Sequence, residues 1–160
     1  MFDFNNDVLA ATGHRPNKLG GYNNFDKLTW FAECELKMRV PNLVISGMAL
    51  GWDQAVAKAC VNLGCPFIAA IPFKGQEKVW PDKAILLYKE LLNKAYQIEV
   101  ICDGNYASYK MQNRNTWMVD HCSYLLALWN GSEGGTKNCI AYANSKNVTV
   151  HNVWDHWSSI

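Results

Sequence analysis

Three turns constrain this chain more than any other feature, because each is rich in glycine and polar residues and lies between a short apolar run and a segment of helical period. Thr12-Gly13-His14-Arg15-Pro16 follows Val8-Leu9-Ala10-Ala11. Ser46-Gly47-Met48-Ala49-Leu50-Gly51-Trp52-Asp53 follows Leu43-Val44-Ile45, and Asn130-Gly131-Ser132-Glu133-Gly134-Gly135-Thr136 follows Leu125-Leu126-Ala127-Leu128. Short apolar runs alternating with helical segments are the pattern of βαβ units, so the class is α/β with a mainly parallel sheet. In such a sheet every strand-to-helix turn lies at the carboxyl edge, and three turns far apart in sequence converge on one crevice. Main-chain N–H groups at glycine-rich turns and helix N-termini favour anions, which makes a phosphate-bearing small molecule the first ligand to consider.

At 160 residues and 49% hydrophobic content the chain can bury one good core and is too short for two ordinary domains, so residues 1–160 read as a single domain. A formal net charge of +1 gives no electrostatic case for a nucleic-acid partner or an anionic membrane surface, although local basic patches are allowed. The six cysteines form no CxxC pair and read as buried, reduced thiols; neither a disulfide framework, a metal site nor a cofactor is implied. Residues 1–7 lack a basic stretch followed by an apolar one, and no apolar run approaches the roughly 20 residues needed to span a bilayer. The expectation is a soluble, cytoplasmic protein.

Strands are expected at Val8 to Ala11, Leu43 to Ile45, Phe67 to Ile71, Ile98 to Cys102, Tyr124 to Leu128 and, as an edge, Val148 to Val153. Asn24 is placed to cap a helix with Phe25, Leu28, Ala32 and Leu36 on its inward stripe, closed by Pro41. Further helices are expected from Trp52 to Leu63 with Gly64 as terminator, from Pro81 and Asp82, from Tyr109 to His121, and from Lys137 to Lys146. The long loop Phe73 to Trp80 has the length of a lid. Trp30, Trp117 and Trp129 are expected to pack, while Trp52 and Trp80 are open to two readings, packing or stacking on a base.

Arg15, at the end of a strand expected to be central, is placed either to meet an anion or to lie on the surface. His14 beside it is a packing or hydrogen-bonding residue before it is an acid or base. Asp53 serves the dipole of its helix or accepts ribose hydroxyls, and Gly47 and Gly51 allow close approach to the main chain. Thr136 caps a helix or, with Gly134 and Gly135, joins the anion site. Arg114 shares a helical face with Met111 and Met118, so it points inward and needs an anion, either the ligand or Asp103, Asp120 or Glu133.

These residues resemble the SLOG superfamily, the group that includes the Lonely Guy phosphoribohydrolases and the DprA-type DNA-processing proteins. The small YpsA-like branch shares both the Thr12 to Pro16 and the Ser46 to Asp53 motifs, and the likeness extends over nearly the whole chain. The resemblance implies a Rossmann-like three-layer sandwich whose glycine-rich turns bind a nucleotide or nucleotide-derived ligand. Against the Lonely Guy signatures, Met111, Arg114 and Met118 match the first and Gly135 and Thr136 the second. Asn115 replaces a lysine, Cys139 falls on the glutamate, and Ser132 and Glu133 fall on glycines.

The expected function is binding of a mononucleotide or ADP-ribose-like molecule for sensing, sequestration or processing. Its site is drawn from Gly13, His14, Arg15, Ser46, Gly47, Met48, Gly51, Asp53, Arg114, Gly134, Gly135 and Thr136. The alternatives are hydrolysis of a nucleoside 5′-monophosphate, for which Asp53 or Glu133 would supply the carboxylate, and DprA-like binding of single-stranded DNA. Apolar helix faces, and the related enzymes, lead us to expect a homo-oligomer.

Overall fold

The computed structural model describes residues 7–160. Six parallel strands form one sheet: β1 (Val8–Gly13), β2 (Leu43–Ser46), β3 (Phe67–Ile71), β4 (Gln97–Val100), β5 (Tyr124–Leu128) and β6 (Thr149–Asn152), in spatial order β4-β3-β2-β1-β5-β6. The helices are α1 (Phe25–Arg39), α2 (Trp52–Leu63), α3 (Asp82–Lys94), α4 (Ser108–Asp120), α5 (Gly135–Ser145) and α6 (Trp154–Ser158). Strand β1 is central, and the winding reverses between β1 and β5. Open α/β sheets leave a crevice outside the strand ends at such a reversal.

The pleat sorts the core into two layers. Leu9, Ala11, Val44, Ala69 and Leu126 face α1, α2 and parts of α3 and α6, while Val8, Ala10, Ile45, Ile68 and Leu125 face α4 and α5. Because both faces are covered, the central strands are apolar without alternation. Edge strand β4 does alternate, with Gln97 and Glu99 half-buried and Ile98 and Val100 exposed. Among the described residues no helix is long and apolar enough to cross a membrane.

Several boundaries differ from the sequence expectation. Helix α1 ends at Arg39, because Val40, one residue before Pro41, takes a left-handed conformation (φ 48°) and donates its N–H to Leu36 O. Strand β4 starts at Gln97 rather than Ile98, and α5 starts two residues before Lys137. The short helix α6 was not anticipated; it seats Trp157 against Phe31, with ring centroids 5.4 Å apart. Trp30 does not pack: it is 53% exposed, on the side of α1 opposite the buried Leu28, Ala32 and Leu36. Trp52 is wholly buried, which removes it as a platform for a base.

Candidate functional site

The site begins with a glycine that makes room for a tryptophan. A Cβ on Gly13 would lie 2.4 Å from Cδ1 of Trp52, so only glycine at the end of β1 lets α2 enter this closely. Trp52 donates its main-chain N–H to His14 O at 3.1 Å and its indole N–H to Leu126 O at 3.4 Å. Gly51 (φ 94°) completes the joint, since a Cβ there would fall 2.5 Å from the same His14 carbonyl. The start of α2 is thereby fixed to β1, and Asp53 in its first turn is carried to the sheet edge.

A second joint ties β1 to the turn after β5. His14 donates its main-chain N–H to Leu128 O at 3.1 Å, and its Nε2 lies 3.0 Å from the Asn130 amide nitrogen and 2.8 Å from Asn130 Oδ1. Burial holds the His14 imidazole below its usual pKa, so it is neutral at pH 7. Lys18 Nζ reaches Ser132 Oγ across 2.6 Å.

Between these joints lies a cavity of about 340 Å³, lined by Thr12 to Arg15, Asn17, Lys18, Ala49, Asp53, Met111, Arg114, Asn115 and Glu133 to Thr136. The structure thus brings together Gly13, His14, Arg15, Asp53, Arg114, Glu133, Gly134, Gly135 and Thr136 from the sequence expectation. Ser46, Gly47, Met48 and Gly51 do not line it; they shape it from behind. Ser46 Oγ donates to Asp53 O at 2.8 Å and accepts from the Met48 N–H at 3.1 Å, and Met48 is fully buried with φ 60°. Asn17 and Lys18 were not singled out from the sequence. Their signal was Pro16, which starts a 3-10 turn and folds the following residues back over the crevice.

Arg114 is buried, and Nη1 donates to Gly47 O at 2.6 Å while Nε donates to Asn115 Oδ1 at 2.9 Å. Its acidic neighbour is Asp53, not Asp103, Asp120 or Glu133. Burial raises the Asp53 carboxyl to about 6, against attraction from Arg114. Burial likewise lowers the Arg114 guanidinium, so for both groups desolvation outweighs their mutual attraction. Asp53 Oδ2 receives only a 3.4 Å contact from the Ala49 N–H, and Oδ1 is buried without a partner.

Helix α5 opens on the opposite wall. Gly134 (φ 137°) precedes its first turn, no side chain caps it, and a Cβ on Gly134 or Gly135 would meet nothing within 4 Å. The first N–H groups of a helix have no partner within it, so this end presents donors to the cavity. Glu133 is exposed and paired with Lys137 at 2.5 Å, which leaves Arg15 and Lys18 as the cations of the rim. Cys139, three residues past Thr136, is fully buried and does not line the cavity; burial pushes its thiol up to about 11. Among the described residues no group of three or more His, Cys, Asp or Glu could hold a metal ion.

The sequence matches the family model described as YspA SLOG over residues 9–154. It is 37% identical over 127 residues to the SPbeta prophage-derived protein YoqJ of Bacillus subtilis, covering 69% of this chain and 73% of that one. The fold superposes on DNA processing protein A of Streptococcus pneumoniae with a TM-score of 0.62 and 19% identity, covering 92% of this chain and half (50%) of that protein. The corresponding protein of Helicobacter pylori, described for its single-stranded DNA binding mode, gives 0.66 at 16% identity, covering 92% of this chain and 65% of that one. These structural likenesses establish a shared fold. The family match across nearly all of its length leads to one conclusion: the chain belongs to the YspA SLOG family.

Proposed function

We propose that the cavity at the winding reversal binds a nucleotide-type small molecule. Its phosphate meets the uncapped N-terminus of α5 at Gly134, Gly135 and Thr136, with Arg15 and Lys18 supplying charge, and Asp53 accepts sugar hydroxyls. The carrying observation is that an open, uncapped helix N-terminus and Arg15 line one cavity with Asp53, a carboxyl short of hydrogen-bond donors. Main-chain donors and a guanidinium suit a phosphate oxygen, and a hydroxyl suits an under-supplied carboxyl. Arg114 holds the turn at Gly47 and tempers the Asp53 charge.

Titration calorimetry with adenosine 5′-monophosphate tests this reading. Arg15→Ala removes a charge-assisted contact worth roughly 1.5–3 kcal/mol, so affinity should fall by at least tenfold. Unchanged affinity in Arg15→Ala, or no binding by the intact protein, would refute it. The same incubation examined for free base distinguishes binding from hydrolysis. Steady release of base, abolished by Asp53→Asn, would make the protein a phosphoribohydrolase.

A second reading is single-stranded DNA binding, which the likeness to DNA processing protein A brings forward despite the near-neutral net charge. Arg15, Lys18, Lys74 and Lys78 give the carboxyl edge a local basic rim. Such binding weakens steeply with salt, so a salt-dependent gel shift on an oligonucleotide would favour it.

A further inference from the structure

Helix α2 stops where Gly64 takes a left-handed backbone (φ 72°) and turns the chain toward β3. Cys65 donates its main-chain N–H to Cys60 O at 2.9 Å, and Gly64 donates to Val61 O at 3.4 Å. These are the two hydrogen bonds of a Schellman motif, a turn that brings the side chains at its two ends into contact. Here both ends are cysteines. Four residues separate them in sequence, so no CxxC pair is present, and the proximity comes from the way the helix ends.

The two thiols share a hydrogen bond and are unequal. Cys60 is fully buried, and its bond to Cys65, with burial added, pushes its thiol well above the usual range. Cys65 is half-buried, and the bond from Cys60 holds its thiol below the usual range, against a smaller opposing effect of burial. The proton of the pair therefore rests on Cys60 and the charge on Cys65. When protonated, Cys65 donates to Pro41 O at 3.7 Å or Pro66 O at 3.6 Å, contacts that a weak S–H donor holds loosely. Cys122 and Cys139, in the other core layer, are instead pushed up by burial, to about 12 and about 11.

A cavity of about 410 Å³ opens on the pair, lined also by Gly64, Pro66, Lys94 and Tyr96, all exposed. A small molecule thus reaches Cys65 from solvent, and Lys94 gives the approach a positive charge. The site lies at the amino edge of the sheet, where β3 begins, and is independent of the crevice at the opposite edge. We infer that Cys60 and Cys65 form a reversible dithiol site for low-molecular-weight disulfides, with Cys65 as the attacking thiol and Cys60 as the resolving one. The Cys65 thiolate attacks one sulfur of a disulfide RSSR, the S–S bond of RSSR breaks, and the departing RS⁻ takes up the proton that Cys65 lost. Cys60 then attacks Cys65 Sγ, the Cys60–Cys65 bond forms as the bond to SR breaks, and the Cys60 proton leaves with the second RSH. The two cysteines together lose two electrons, and RSSR gains them. Because the thiols already touch, closure takes side-chain rotation rather than movement of the helix.

The test is oxidation of the intact, reduced protein in mixtures of reduced and oxidised glutathione, quenched with iodoacetamide under denaturing conditions. Mass spectrometry then reads the tryptic peptide 59–74, which carries Cys60 and Cys65 and no other cysteine. An excess of oxidised glutathione should remove both alkylatable thiols from that peptide and leave it lighter by two hydrogens, while the Cys139 peptide is alkylated in full. Added dithiothreitol should restore both thiols. Cys60→Ala should stop at a mixed disulfide of Cys65 with glutathione, and Cys65→Ser should leave Cys60 unmodified, with thermal melts confirming that both variants fold. Two alkylated cysteines at every glutathione ratio would overturn the inference and make the pair an apolar contact at a helix end. A mixed disulfide that persists on Cys65 of the intact protein, or one that forms on Cys60 in Cys65→Ser, would overturn it equally.

Discussion

Arg114 Nη1 and the Gly47 carbonyl oxygen, 67 positions apart in sequence, lie 2.6 Å from each other and join α4 to the turn after β2. A Cβ on Gly47 would sit 2.5 Å from that same Nη1, so glycine is what allows the guanidinium to reach the main chain. The contact converts a surface turn into a buried, oriented one.

Arg114→Ala should therefore destabilise the protein by about 1.5–3 kcal/mol at neutral pH, the range for a hydrogen bond made by a charged group, because the Gly47 carbonyl and Asn115 Oδ1 lose this donor. Asp53 then titrates higher still, because the attraction opposing its burial is gone. Urea unfolding at pH 8 and pH 5 checks this, and the loss should be smaller at pH 5, where Asp53 carries a proton.

Asp53 inverts the usual carboxylate contribution. Its folded pKa of about 6 lies above the ordinary 3.8, so the folded state holds more protons than the unfolded one between about pH 4 and pH 6. Stability contributed by this group is present below pH 4 and lost as pH rises through 6, about 3 kcal/mol in all. Asp53→Asn should abolish that slope, as read from the difference between the two proteins' stabilities across the window.

His14 acts in the opposite direction. Because burial lowers its pKa, protons bind the unfolded chain preferentially below pH 6.5, and this contribution to stability declines on acidification. An NMR titration of the imidazole should give a midpoint below 6.5, and a midpoint above it would contradict the burial described for His14.

The glycines separate structure from function. Gly51→Ala places a methyl group 2.5 Å from His14 O at a positive φ and should cost about 1–3 kcal/mol or more. Gly135→Ala meets nothing within 4 Å and should leave stability within about 0.5 kcal/mol. If phosphate binds at the start of α5, the second variant should still weaken adenosine 5′-monophosphate binding at least fivefold in calorimetry.

Much of this was legible in the sequence because local chemistry and global fold agree. The apolar runs, the glycine turns and Gly64 after α2 (φ 72°) each mark a boundary by a local rule. What stayed hidden depends on distant partners. The spacing of Arg114 with Met111 and Met118 gave its inward direction, but its partners come from the turn after β2, which no helical spacing reveals. Ser46 and Met48 look like crevice residues until the turn is seen to fold its own side chains beneath it. Trp30 misled through hydrophobicity alone, since two positions from Leu28 is about 200° around a helix. Five residues, the length of α6, are too few for a period to show.

Tyr88, Gln76, Gly47, Arg114, Asn115 and Gly135 form a continuous run of hydrogen bonds from α3 to the first residue of α5. A molecule bound as proposed would meet a mould rather than a hinge. Capture should freeze few torsions of the protein, so backbone order parameters around the crevice ought to be nearly the same before and after loading.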